Sequence, residues 1–235
     1  MKKLMCTVII LLILAACTDK KKPKVLYDDN GEKVATSKDS AKILMADLPI
    51  YIDSTEFLVH PIGELRLYEK DKLYSGRSSW SSNSFYISDY NNYTFTGALH
   101  NLQFEKLGSN KLVALTQENI RIESAQFLHE LYKTTGKQLF IYKIIDADTN
   151  ADGILDYTDI KSLYVSRIDG SGFKKLNTNG HELIDFKIMN NIHRLYFRTI
   201  SDKNKDGVFD EKDSLQYHYL NLIDDDLKVT TYFPV

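Results

Sequence analysis

The feature that most constrains this chain is a repeat in its second half. Residues 124–172 and 182–223 carry the same order of segments. Each opens on an apolar stretch (127–132; 183–189), passes a short turn with Gly or Asn, and enters a β-branched and aromatic run (139–145; 195–200). An acidic loop follows, then a Tyr-bearing run (163–168; 215–222), and the copies are offset by about 54 residues. One such unit cannot bury its apolar face alone, so the repeat predicts stacked antiparallel β-units. The second apolar stretch alternates Ile184, Phe186 and Ile188 with Asp185 and Lys187, a strand pattern. Its counterpart also reads as a helix, with Ala125, Leu128 and Leu131 on one face, and the strand is preferred only by analogy with the second copy.

The acidic loops are the strongest chemical signal. DTNADGILDYTD (148–159) and DKNKDGVFDEKD (202–213) share one template: Asp at position 1, Asn at 3, Asp at 5, Gly at 6, apolar residues at 7 and 8, and Asp at 9 and 12. Oxygen-bearing side chains at alternate positions suit a hard cation, because Ca²⁺ takes about 6 to 8 oxygen ligands. The template resembles the calcium loop of the EF-hand family, and the resemblance implies as ligands in the first loop Asp148, Asn150, Asp152, the carbonyl of Ile154, Asp156 directly or through water, and Asp159. In the second they are Asp202, Asn204, Asp206, the carbonyl of Val208, Asp210 and Asp213. Gly153 and Gly207 stand where a side chain would block a sharp turn. Leu155 and Phe209 are expected to anchor the loops to the core. The carboxylates at the four acidic template positions of each loop repel one another, and a bound cation reverses that repulsion. Two Ca²⁺ ions per chain are therefore expected, in a structural role.

The loops resemble the calcium loops of the EF-hand and dockerin-type families, with Asp at position 12 where EF-hands usually carry Glu. The phrase Leu163, Tyr164, Asp169, Gly170 followed by 173–176 resembles blades of WD40-like and TolB-like propellers, over roughly 120–230. The resemblance implies an all-β fold of repeated antiparallel β-units, a partial or small β-propeller with calcium loops inserted between strands.

Upstream, further short strands are expected at 49–52, 57–60, 64–68, 84–87, 102–107 and 111–115, with a Ser-rich loop at 75–84 that holds the only Trp, Trp80. At the N-terminus, Lys2 and Lys3 precede an apolar run too short to span a bilayer, and Leu14-Ala15-Ala16-Cys17 closes it. This resembles the lipobox of bacterial lipoproteins. It implies a signal peptide over 1–16, a lipid on Cys17, and a body anchored to a membrane of the bacterial cell envelope outside the cytoplasm. Residues 17–42 then read as a flexible tether with Lys20, Lys21, Lys22 and Lys24 near the headgroups, and 43–235 as the β-repeat domain.

With 30 Lys and Arg against 32 Asp and Glu, the chain has no basic field for a nucleic-acid partner. It carries no GxSxG, phosphate-binding Gly loop, CxxC or HExxH; the nearest approach, His181-Glu182-Leu183-Ile184-Asp185, has Asp where a second zinc-binding His belongs. The expected function is a non-enzymatic structural or binding module at the envelope, with a protein or glycan partner. An envelope hydrolase of glycans or peptides and a calcium-responsive sensor are the alternatives.

Overall fold

The computed structural model describes residues 24–27, 43–65 and 87–235. Cys17, the leader, Trp80 and most of the expected tether lie outside the described residues. Within them, ten strands form one antiparallel sheet and four form a second.

The larger sheet follows the order β1 (Ile43–Ala46), β3 (Phe57–Leu65), β5 (Thr94–Lys106), β7 (Arg121–Phe127), β8 (Leu139–Ile145), β9 (Lys161–Arg167) and β10 (Lys174–Lys175). Three short strands attach to it: β2 (Ile50–Tyr51) on β3, and β4 (Ser88–Asn91) and β6 (Leu112–Ala114) on β5. The smaller sheet runs β11 (His181–Met189), β12 (Arg194–Ser201), β13 (Ser214–Asn221) and β14 (Thr230–Tyr232).

The repeat is visible as two four-strand meanders, β7 to β10 and β11 to β14. The propeller reading is corrected, because neither sheet closes and the first meander has no edge of its own. Its β7 pairs with the 13-residue β5, which carries the sheet on into the N-terminal half. The register of β5 shifts on both sides, between Thr96 and Leu99 against β7 and opposite Ile62 and Gly63 against β3. Its first half therefore lies between β4 and β7, and its second half between β3 and β6. A strand shared in this way builds one continuous sheet where separate blades would need a break.

The EF-hand and dockerin-type resemblance is corrected as well. Each acidic loop is flanked by strands on both sides, and the one helix among the described residues, α1 (His129–Thr135), precedes β8. The stretch read both ways is divided: Ala125 lies in β7, which runs to Phe127, Leu128 precedes the helix and only Leu131 lies within it, while the second copy carries a 3₁₀ turn, Asn190–Ile192. Thr134 and Thr135 return their hydroxyls to carbonyls of the helix, and Gly136 ends it in the left-handed conformation.

Strand β8 explains how the sheets stack. Its sequence LFIYKII is buried along nearly its whole length, as expected of a strand covered on both faces. Phe140, Tyr142 and Ile144 enter one core with Phe95, Leu102, Phe104 and Ile122. Leu139 and Ile141 point to the other side and enter a second core with Leu163, Val165, Leu195, Phe197 and Leu220. The second core holds the four-stranded sheet against β8 and β9, which sets the two acidic loops on the same body.

Candidate functional site

Loop 1 (148–159) closes the hairpin between β8 and β9, and loop 2 (202–213) closes the hairpin between β12 and β13. The two share a hydrogen-bond pattern position by position. The position-6 amide donates to the position-1 carboxylate: Gly153 N to Asp148 Oδ2 at 2.9 Å, and Gly207 N to Asp202 Oδ2 at 2.8 Å. The position-5 amide donates to the position-3 side chain, Asp152 N to Asn150 Oδ1 at 3.0 Å and Asp206 N to Asn204 Oδ1 at 3.1 Å. The position-7 amide donates to position 5, Ile154 N to Asp152 Oδ1 at 2.8 Å and Val208 N to Asp206 Oδ1 at 2.9 Å.

Position 12 fastens the ends. Asp159 Oδ1 accepts from the Thr149 and Asn150 amides at 2.6 and 3.2 Å, and its Oδ2 accepts from Asp156 N at 3.0 Å. Asp213 does the same with Lys203 N and Asp210 N, both at 2.9 Å. These bonds follow from the sequence, since Asp and Asn readily accept from amides a few residues along the chain. The backbone is shared too. Positions 4 and 6 are left-handed in both loops, at φ 58° and 83° for Ala151 and Gly153 and 57° and 78° for Lys205 and Gly207.

The loops differ in burial and charge. Asp159 is fully buried at 0% exposure, whereas Asp213 is half-buried. Burial pushes the Asp159 carboxyl above its ordinary range, and the amides of Asp156, Thr149 and Asn150 work against that rise. Loop 1 has four acids and no base; loop 2 has five acids and three lysines. Leu155 and Phe209, expected as anchors, are only half-buried.

Among the described residues no group of three or more His, Cys, Asp or Glu side chains is gathered as a metal centre would gather them. The loop carboxylates accept largely from amides of their own loops. One carboxylate oxygen stands apart. Asp202 Oδ1, at position 1 of loop 2, is buried and has no hydrogen-bond partner, a costly state for a carboxylate oxygen. The donor set is otherwise all oxygen, of the kind a hard cation takes. The residues fit such an ion in donor type.

Sequence reasoning missed a third component. Residues 24–27 lie across both loops. Lys24 N donates to Gly207 O at 2.6 Å, Leu26 N to Thr149 O at 2.9 Å, and Thr149 Oγ1 to Lys24 O at 2.7 Å. Val25 is 1% exposed. The Tyr27 hydroxyl donates to Asp202 Oδ2 at 3.1 Å, and its pKa is pushed up to about 12 by burial and then by Asp202. Glu182 joins this contact: Oε1 pairs with Lys24 Nζ at 2.8 Å and Oε2 accepts from Lys161 N at 2.9 Å, where loop 1 meets β9. That use of Glu182 gives the HELID phrase a structural role. The available signal was the apolar island Val25-Leu26-Tyr27 within a polar stretch.

Elsewhere, several carboxylates of the N-terminal half have structural partners. Asp47 accepts from Leu48 N, Ile87 N and Ser88 N; Glu105 faces His60 at 2.9 Å and Glu64 faces His100 at 3.4 Å. No helix among the described residues is long and apolar enough to cross a membrane. Compared with family models, with curated proteins and with solved structures, the chain matches none.

Proposed function

We propose that the chain is an envelope lipoprotein whose β-sheet body is stabilised by two Ca²⁺ ions, one at each acidic loop, and serves as a structural or binding module. The observation that carries this reading is the agreement of two loops, set in different sheets, in position-1, -3, -5, -9 and -12 hydrogen bonds and in left-handed residues at positions 4 and 6. The buried, unpartnered Asp202 Oδ1 supports a cation there. When bound, Ca²⁺ supplies a positive charge that offsets the carboxylate repulsion. The chain's own residues do the rest. Gly153 and Gly207 permit the turn, Asp159 and Asp213 pin each loop's two ends, and β8–β9 and β12–β13 fix the base of each loop.

The supported role is structural. Each loop sits at the end of a hairpin whose strands already belong to a buried core, so filling it tightens what is folded. At free Ca²⁺ about 100 times the dissociation constant each site adds roughly 2.7 kcal/mol, a rise of several °C in melting temperature for a body of this size. The test is melting in Ca²⁺, in Mg²⁺ and in chelator, with small-angle scattering and a hydrophobic dye alongside. Stabilisation at constant radius and dye signal supports the reading. A large calcium-dependent change in radius with little gain in stability would establish a sensor instead. The anchor rests on Leu14-Ala15-Ala16-Cys17: a palmitate analogue should label the wild type and spare Cys17→Ser, and equal labelling of both would refute it.

A further inference from the structure

We infer that Lys24–Tyr27 is a strap that couples the two loops to each other and to the N-terminal segment, so that filling the loops with calcium locks the strap and docking the strap tightens the loops. This rests on the calcium reading proposed above. The strap's bonds land on the loops themselves: on Thr149 at position 2 of loop 1, and on Asp202 and Gly207 at positions 1 and 6 of loop 2. Thr149 is held in turn by Asp159, whose Oδ1 accepts from its amide at 2.6 Å, and the Gly207 amide is held by Asp202. The groups that receive the strap are therefore fixed by the carboxylates expected to face the ion.

The two loops belong to different sheets, and the strap runs from one to the other, with Val25 buried between its hydrogen-bonded neighbours. Lys24 adds an ion pair to Glu182 on β11, whose other oxygen holds the first amide of β9. Any change in the curl of either loop moves the Gly207 or Thr149 carbonyl that the strap needs. Linkage makes the effect mutual: what calcium does to strap docking, strap docking must do to calcium affinity by the same factor. In a chain tied to a membrane through Cys17, a locked strap fixes the path of the chain only seven residues beyond the anchor, so calcium would set how the body is held at the surface.

The experiment is hydrogen exchange of the full chain, read by mass spectrometry over the peptide that contains 24–27, in millimolar Ca²⁺ and in chelator, together with calcium titration of wild type, Val25→Asp and Tyr27→Phe. Exchange at the strap is expected to slow about tenfold in calcium. Val25→Asp should abolish that protection and weaken both sites by about fivefold or more while two ions still bind. Tyr27→Phe, which deletes one hydroxyl and preserves packing, should weaken loop 2 most and loop 1 to a smaller extent through the strap, and serves if Val25→Asp misfolds. Equal strap exchange with and without calcium while two ions bind, or unchanged affinities once the strap is released, would overturn the strap and leave the calcium reading intact. No calcium bound at all would remove the calcium reading and the coupling together, even with a protected strap.

Discussion

At the scale of single residues, the loops depend on backbone conformations that only some side chains tolerate. A Cβ on Gly153 would meet no atom within 4 Å, so its φ of 83° is the whole obstacle to a side chain. Gly153→Ala should therefore cost about 1 kcal/mol in a denaturant melt, from conformation alone. Ala151 already bears the same kind of strain at φ 58°, and Ala151→Gly should be neutral or mildly stabilising in the same melt. His218 offers a pH prediction away from the loops. It is 6% exposed, stacks on Phe197 at 4.7 Å, and meets Thr199 and Thr231 through its two ring nitrogens. Burial, and secondarily the charge of His181, lower its pKa. The unfolded chain then binds the proton more readily, so this part of the stability is complete above about pH 6.5 and is lost as the pH falls through the lower folded value. In chelator, the drop in melting temperature from pH 7.5 to 5.5 should be smaller in His218→Gln than in the wild type. The sequence made the acidic side chains and the glycines legible as loop residues. It could not show that the same carboxylates would spend their oxygens on amides, because that depends on where the backbone turns.

At the scale of elements, the hairpin is the working unit. Asp159 accepts from three amides in a buried setting, while Asp213 accepts from two in a more open one. Asp159→Ala is expected to lower stability by about 2 kcal/mol or more even in chelator, through stranded donors; Asp213→Ala should cost less, as denaturant melts of the two variants will read. The charge difference gives a second expectation, that loop 1, with no lysine among its acids, binds Ca²⁺ more tightly than loop 2, which carries Lys203, Lys205 and Lys212. Titration of Asp148→Ala and Asp202→Ala, each retaining one loop, separates the affinities. The strands beside the loops were legible because β8 and β12 are dense in β-branched and aromatic residues. The helix at His129–Thr135 was not legible in the spacing of Ala125, Leu128 and Leu131, because Ala125 belongs to β7 and only Leu131 lies in the helix, and its equivalent in the second copy is a 3₁₀ turn. The first half of β5 was missed because Thr94, Thr96, Gly97 and Ala98 carry little apolar alternation; its burial comes from β4 and β7 on either side.

At the scale of the whole molecule, the repeat predicts units and leaves their assembly open. Two four-strand meanders are present, yet β7 joins the first to β5, and the result is one ten-stranded sheet with a four-stranded sheet laid against it. Closure into a propeller would require the first meander to end at β7, and nothing in the local sequence of β7 distinguishes an edge from an interior strand. The strap was hidden for a related reason: Val25, Leu26 and Tyr27 find their partners more than a hundred residues away. What unites sheets, loops and strap is the claim that the loops are paired calcium sites, and equilibrium calcium titration of the full chain tests it most directly. The account predicts two ions per chain, one remaining in Asp148→Ala and one in Asp202→Ala, within the broad range of about 10⁻⁶ to 10⁻³ M. A stoichiometry of zero at millimolar calcium, or two ions retained in both variants, would contradict it.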